Sequence, residues 1–194
     1  MSKQQSNQSC RQYRLMKRNR KLHAHIRDVV VASGCATYVG GNAPVEEMAA
    51  ELGFAAHDLA IADVRTRKIV TLIVVPHGKW SDPLWRCKAI ELRRRARKAG
   101  HRAVLVPQFV AEREPRLTNS KLVARAAGVR MDATTSMIAI SHLLDNGACG
   151  LAEVAAQLRH RDPFGAVLNL VTMGLVNIDM ARPITPHSTV DLAN

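Results

Sequence analysis

Lysine and arginine are the residues of this chain whose number and spacing could do chemistry, and that chemistry is the neutralisation of phosphate. Of 194 residues, 28 are Lys or Arg and 16 are Asp or Glu, a formal net charge of +12. Such an excess points to a polyanionic partner. It is concentrated in two runs. The first holds Arg11, Arg14, Lys17, Arg18, Arg20, Lys21 and Arg27; the second holds Arg86, Lys88, Arg93, Arg94, Arg95, Arg97, Lys98 and Arg102. Guanidinium and ammonium groups spaced along a helix can meet successive backbone phosphates without reading base sequence. Arg11, Arg14, Lys17, Arg18, Arg20, Lys21, Arg93, Arg94, Arg95, Arg97 and Lys98 are therefore expected to contact DNA. Aromatic residues make up only 4 % of the chain, too few for the stacking platforms that bind single strands or RNA. The expected partner is double-stranded DNA.

Other chemistries are poorly supplied. Cys10, Cys35, Cys87 and Cys149 form no CxxC pair, so neither a zinc ribbon nor a disulfide framework is expected and the thiols read as reduced. His23 and His25 are two residues apart, on different sides of a helix, and read as part of its basic face. No GxGxxG, Walker loop, HExxH or GxSxG occurs. Trp80 and Trp85, around Asp82-Pro83, read as packing residues. No catalytic residue, metal or cofactor is expected. No apolar run approaches the ~18 residues that span a bilayer, and no apolar segment follows the N-terminal charges. A cytoplasmic, nucleoid-associated protein without membrane contact is the expectation.

The elements that must position the charges follow from periodicity. Residues 1–10 are polar, Gln- and Ser-rich, and read as a disordered tail. Leu15, Leu22, Ile26, Val29 and Val30 recur at helical spacing, predicting a helix from about Arg11 to Ala32 with one cationic face. Pro44 and the acids behind it open a short helix that Gly53 stops. His57–Val64 and Ile69–Val75 read as a strand pair joined through Arg65-Thr66-Arg67-Lys68. Asp82-Pro83 opens the second basic helix, which runs to about Arg97 or Ala99 before Gly100, and Val104–Val106 is a third strand. A strand, helix, strand crossover of this length makes a parallel pair. Residues 11–110 should thus form an α/β domain with a mixed sheet and flanking helices. Residues 111–132, charged and broken at Pro115, read as a linker.

Residues 133–194 show a second order. A helix from Thr134 or Thr135 ends at Asn146-Gly147, a helix covers Leu151–His160, and a third opens on Asp162-Pro163 and closes at Gly174. Leu175–Met180 and Ile184–Val190 follow as strands around Arg182-Pro183. Three helices and a hairpin make a winged helix-turn-helix. Its third helix is mostly apolar, so Arg161, Asn169 and Arg182 are its candidate DNA contacts. A homodimer or a protein partner is the alternative use of this domain.

The segment from Asp58 to Ala127 resembles the TnsA-like family of heteromeric-transposase subunits. The resemblance rests on His57-Asp58-Leu59 before a hairpin, a strand ending Val75-Pro76, the basic helix with Gly100, and Arg116-Leu117-Thr118-Asn119-Ser120-Lys121-Leu122. The stretch from Ile138 to Val190 is similar to that family's winged helix. The resemblance implies a restriction-endonuclease-like fold with two carboxylates and a Lys around Mg²⁺. Asp58 occupies the place of the first carboxylate, but the second set falls on Ile73-Val74-Val75. A migrated site could use only Glu51, Asp58, Asp63 and Lys68 or Lys79. The expected function is therefore that of a non-catalytic DNA-binding protein, a transcriptional regulator or recombination accessory factor. A Mg²⁺-dependent endonuclease subunit and a protein-docking adaptor are the alternatives.

Overall fold

Ile69–Val75 is a β-branched run with no polar face, and such a run is stable only when other elements cover both sides of it. The computed structural model, which describes the backbone of residues 3–193 and the side chains of Lys17 and of residues 19–193, places it at the centre of a mixed sheet. The chain divides into two units: residues 1–27 with 37–112, and residues 28–36 with 113–194.

The first unit is built on a four-stranded sheet in the order β1-β2-β3-β4, with β1 Thr37–Gly40, β2 Ala60–Arg65, β3 Ile69–Val75 and β4 Ala103–Pro107. The expected hairpin pairs Ala60 with Val74 through Arg65 with Ile69, antiparallel, and β4 joins β3 in parallel, as the crossover required. β1, which periodicity did not reveal, pairs antiparallel with β2 and bulges between Tyr38 and Gly40. Helix α1 spans Lys3–Ala32, taking in residues expected to form a disordered tail. Helix α2 (Ala43–Glu51) is capped by Asn42, whose Oδ1 accepts from the Val45 amide at 3.1 Å. After β3 come a short α3 (His77–Trp80) and the basic α4 (Pro83–Lys98), whose cap Asp82 accepts from the Leu84 amide at 2.9 Å. Ala89, Leu92 and Ala96 of α4 pack with Val45, Ala49, Phe54, Ile61, Ile73 and Ala103 in one core. A four-residue α5 (Gln108–Ala111) ends the unit.

In the second unit the segment expected to be a linker contains helix α6, Arg116–Ala126. Its charged residues obscured a buried stripe of Leu117, Asn119, Ser120, Val123 and Ala126. α7 (Ala133–Asn146) takes its cap from Asp132 rather than from a threonine, because the Asp132 carboxylate accepts from the Thr135 amide at 2.7 Å. A two-residue strand β5 (Cys149–Gly150), helices α8 (Leu151–Ala156) and α9 (Pro163–Thr172), and strands β6 (Val176–Ile178) and β7 (Thr189–Leu192) complete it. The sheet order is β5-β7-β6, antiparallel throughout.

The strand expected at Leu175–Met180 is shorter, the one expected at Ile184–Val190 instead begins at Thr189 and runs to Leu192, and residues 179–188 form a loop rather than a tight turn at Arg182-Pro183. The loop is held from α6. Asn119, 2 % exposed, donates from Nδ2 to the Met180 and Arg182 carbonyls at 3.1 and 2.6 Å and accepts from the Ile184 amide at 3.1 Å. At Gly34 (φ +63°) a Cβ would collide with the Val171 carbonyl and with Gly174, so the chain passes α9 there only as glycine. Replacing Asn119 with Ala leaves three backbone groups of the loop without their partner. Urea unfolding should show a loss of about 2 kcal/mol, and an unchanged midpoint would refute the anchoring role.

Candidate nucleic-acid interface

Helix α4 sorts its cations by what they touch. Its inner face is Ala89, Leu92 and Ala96, so Arg86, Ile90, Arg93 and Arg97 line up on another face, at i, i+4, i+7 and i+11. Arg94 and Arg95 are engaged elsewhere. Arg94 Nε donates to Glu91 at 2.8 Å and Arg95 Nε to the same carboxylate at 3.2 Å, with Glu51 3.6 Å from the Arg95 guanidinium. These two hydrogen bonds hold Glu91 below the usual carboxylate range, and the Glu91 bond raises Arg94. Arg97 donates from Nε to the Ala103 carbonyl at 3.1 Å, which fixes its stem while the side chain stays exposed. Arg86, Arg93, Lys98 and Arg102 have no ion pair among the described residues.

On α1, Lys17, Arg20 and Lys21 are exposed, as expected of a cationic face, while the side chains of Arg11, Arg14 and Arg18 lie outside the described residues. The histidines do not belong to that face. His25 is buried and its Nδ1 lies 2.9 Å from Glu112 Oε1, and half-buried His23 has Nδ1 3.1 Å from the Tyr38 hydroxyl. Residues two apart on a wide buried stripe can both point inward, which the period alone did not separate.

The three candidates of the C-terminal unit fare differently. Arg161 and Arg182 are exposed, Arg182 with its guanidinium 3.8 Å from Asp179. Asn169 is 9 % exposed and cannot reach a base edge, because its Nδ2 donates to the Val129 carbonyl at 2.9 Å and its Oδ1 accepts from Thr172 at 2.8 Å. Every residue of α9 from Gly165 to Val171 is buried. A groove-reading helix needs an open polar face, and this one has none along those two turns.

Charge divides as sharply as packing. The first unit carries 20 Lys and Arg against 8 Asp and Glu, and the second carries 8 of each. The whole excess of +12 therefore belongs to the α/β unit.

The acids that could have formed a migrated nuclease site are dispersed. Asp58 and Lys79 do meet, with Oδ1 3.5 Å from Nζ, beside a cavity of about 270 Å³ also lined by Asn19, His57, Asp82 and Trp85. Lys79 Nζ sits 3.4 Å from the centre of the Trp85 ring, and Asp58 Oδ2 accepts from the Ala55 amide at 2.9 Å. Asp63 accepts from Asn42 and Thr71 in a separate network at 3.0 and 2.7 Å, and Glu51 faces Arg95. Lys68 lies in the β2–β3 turn, and Ile73, Val74 and Val75 are wholly buried. Of the two carboxylates on that cavity, Asp58 is held by the Ala55 amide and Lys79 and Asp82 by the amides at the start of α4, and among the described residues they form no metal-ligating cluster, so these residues do not fit the Mg²⁺ that the resemblance implies. Trp85 packs on Phe54 with ring centres 5.1 Å apart, as a packing residue should.

No protein-family model matches the chain, and no curated protein and no solved structure matches it.

Half-buried His23 has its pKa lowered, first by desolvation and against the pull of Glu46. Its unfolded value of about 6.5 is then the higher one, so the unfolded chain binds more protons as pH falls. Its contribution to stability is full above pH ~6.5 and is lost as pH drops through the lowered folded value. Denaturant midpoints between pH 7.5 and 5 should fall for the parent chain and fall less for His23→Gln; equal falls would exclude the effect.

Proposed function

We propose that this chain is a non-catalytic, double-stranded-DNA-binding protein whose α/β unit supplies the phosphate-contacting surface. Transcriptional regulation or accessory work in DNA recombination, in association with the nucleoid, is the setting that suits it. The single observation carrying this reading is that the entire net charge of +12 belongs to one unit, with Arg86, Arg93 and Arg97 aligned on one face of helix α4. A hairpin, a crossover helix and a parallel fourth strand agree with a restriction-endonuclease-like core. The order helix, strand, helix, helix, hairpin in the second unit agrees with a winged helix.

That second domain is better suited to protein than to DNA. It is charge-neutral, its third helix is enclosed, and Met137 and Leu144, seven residues apart on α7, are each 66 % exposed. Apolar side chains presented at that spacing favour a docking role toward a second copy or another protein.

Affinity for a random-sequence duplex, measured against salt, tests the reading. The log–log slope falls by about 0.9 for each phosphate contact removed, so Arg86→Ala, Arg93→Ala and Arg97→Ala combined should flatten it by about 2–3. Arg94→Ala with Arg95→Ala should do less, because Glu91 already holds both. Arg161→Ala with Arg182→Ala should leave the slope unchanged; a larger effect there than on α4 would overturn the assignment. Mg²⁺-dependent nicking of supercoiled DNA that disappears with Asp58→Ala would replace it with the endonuclease reading.

A further inference from the structure

The C-terminal unit contains a set of three polar or ionisable side chains that DNA contact does not use, and of these Cys149 alone also belongs to the buried core. His142 on α7, Cys149 in β5 and Glu153 on α8 bring one ligand atom each to within 4.8 Å of one another. We propose that His142, Cys149 and Glu153 form a binding site for a divalent transition metal of the zinc class, with solvent as the fourth ligand.

Three features carry it. First, His142 Nε2 is buried and has no hydrogen-bond partner among the described residues, although buried ring nitrogens are ordinarily satisfied. Its closest acidic atom, Glu153 Oε1, is 3.9 Å away, beyond hydrogen-bond range. Second, the donor set is chemically matched. A thiolate, a neutral imidazole and a carboxylate are zinc ligands, and their two negative charges balance a dication inside a unit that is itself neutral. Third, the scaffold fixes the two less mobile donors. Cys149 is buried in a strand paired to Val190, and His142 follows one turn after buried Ala139 on α7.

Zinc to nitrogen, oxygen or sulfur bonds of ~2.0–2.3 Å in a tetrahedron put ligand atoms about 3.3–3.8 Å apart. The observed spread of up to 4.8 Å must shrink by about 1 Å. Glu153 is the adjustable member, its side chain 58 % exposed in the first turn of α8. Cys149 Sγ now donates to the Gly147 carbonyl at 3.2 Å, and metal entry releases that thiol proton to solvent. The ring must carry its proton on Nδ1, 3.2 Å from the exposed Asn146 side chain, whose Nδ2 now donates to the His142 carbonyl at 2.8 Å and must leave it if the amide oxygen is to accept that proton in place of solvent.

The test is titration of the full-length, chelator-treated chain with Co²⁺, read by the thiolate-to-cobalt charge-transfer band and followed by displacement with Zn²⁺. The expected result is one equivalent bound with the band present. Cys149→Ser and His142→Gln should abolish it, and the combined Cys10→Ser, Cys35→Ser, Cys87→Ser chain should retain it. Glu153→Gln, a change at an exposed position that leaves the fold intact, should weaken binding ~10-fold or more. It decides the matter if the Cys149 variant fails to fold by circular dichroism. Zn²⁺ should also raise the melting temperature of the parent chain but not that of His142→Gln. Absence of the band in the parent, its persistence in Cys149→Ser, or its loss from the chain keeping only Cys149 would overturn the site. DNA affinity enters none of these readouts, so this site and the DNA-binding proposal stand or fall separately.

Discussion

A segment with no polar face must be enclosed from every side, and each unit is organised around one such segment. β3 is the first. Leu72 to Val75 can be removed from water only by strands on both edges and helices on the faces, and α4 supplies Ala89, Leu92 and Ala96 to one of those faces. α9 is the second. With Gly165 to Val171 wholly buried, it draws α6, α8, the Gly34 turn and strand β6 around itself. Burial at roughly 25 cal/mol per Å² of apolar surface rewards this closure, and the elements that close it then have fixed outward faces.

Those outward faces give the chemistry its location. Because α4 must turn its alanines and Leu92 inward, Arg86, Arg93 and Arg97 necessarily share another face, while Arg94 and Arg95 fall within reach of Glu91. The helix thus offers fewer available cations than its composition suggests. A paired guanidinium keeps its charge, but it gives up hydrogen-bond donors that a phosphate would otherwise receive.

Buried polar side chains perform the remaining positioning. Asn42 caps α2 with its oxygen and holds Asp63 and Thr71 with its nitrogen, so one residue ties a helix start to two strands. Asn119 does the same for α6 and the 179–188 loop. Asn169 serves α9 by bonding the Val129 carbonyl. Each is nearly sealed from water, and each satisfies backbone groups that would otherwise be buried without partners.

Local signals determined much of the architecture. The β-branched run Ile69–Val75, the Asp82-Pro83 and Asp162-Pro163 helix starts and the Gly100 stop were legible because cap chemistry and periodicity act within a few residues. β1 and β5 were not, since strands of four and two residues carry no readable alternation and exist only through their partners. α6 was hidden because charge dominates its composition while its buried face is spread over Leu117, Asn119, Val123 and Ala126. The site divides in the same way. Sequence by itself set the net charge and its two basic runs. Which arginines are available, that Asn169 is sealed, and that His142, Cys149 and Glu153 converge were decided only by tertiary structure. Pairing and burial depend on neighbours distant in the chain, and no local pattern records them.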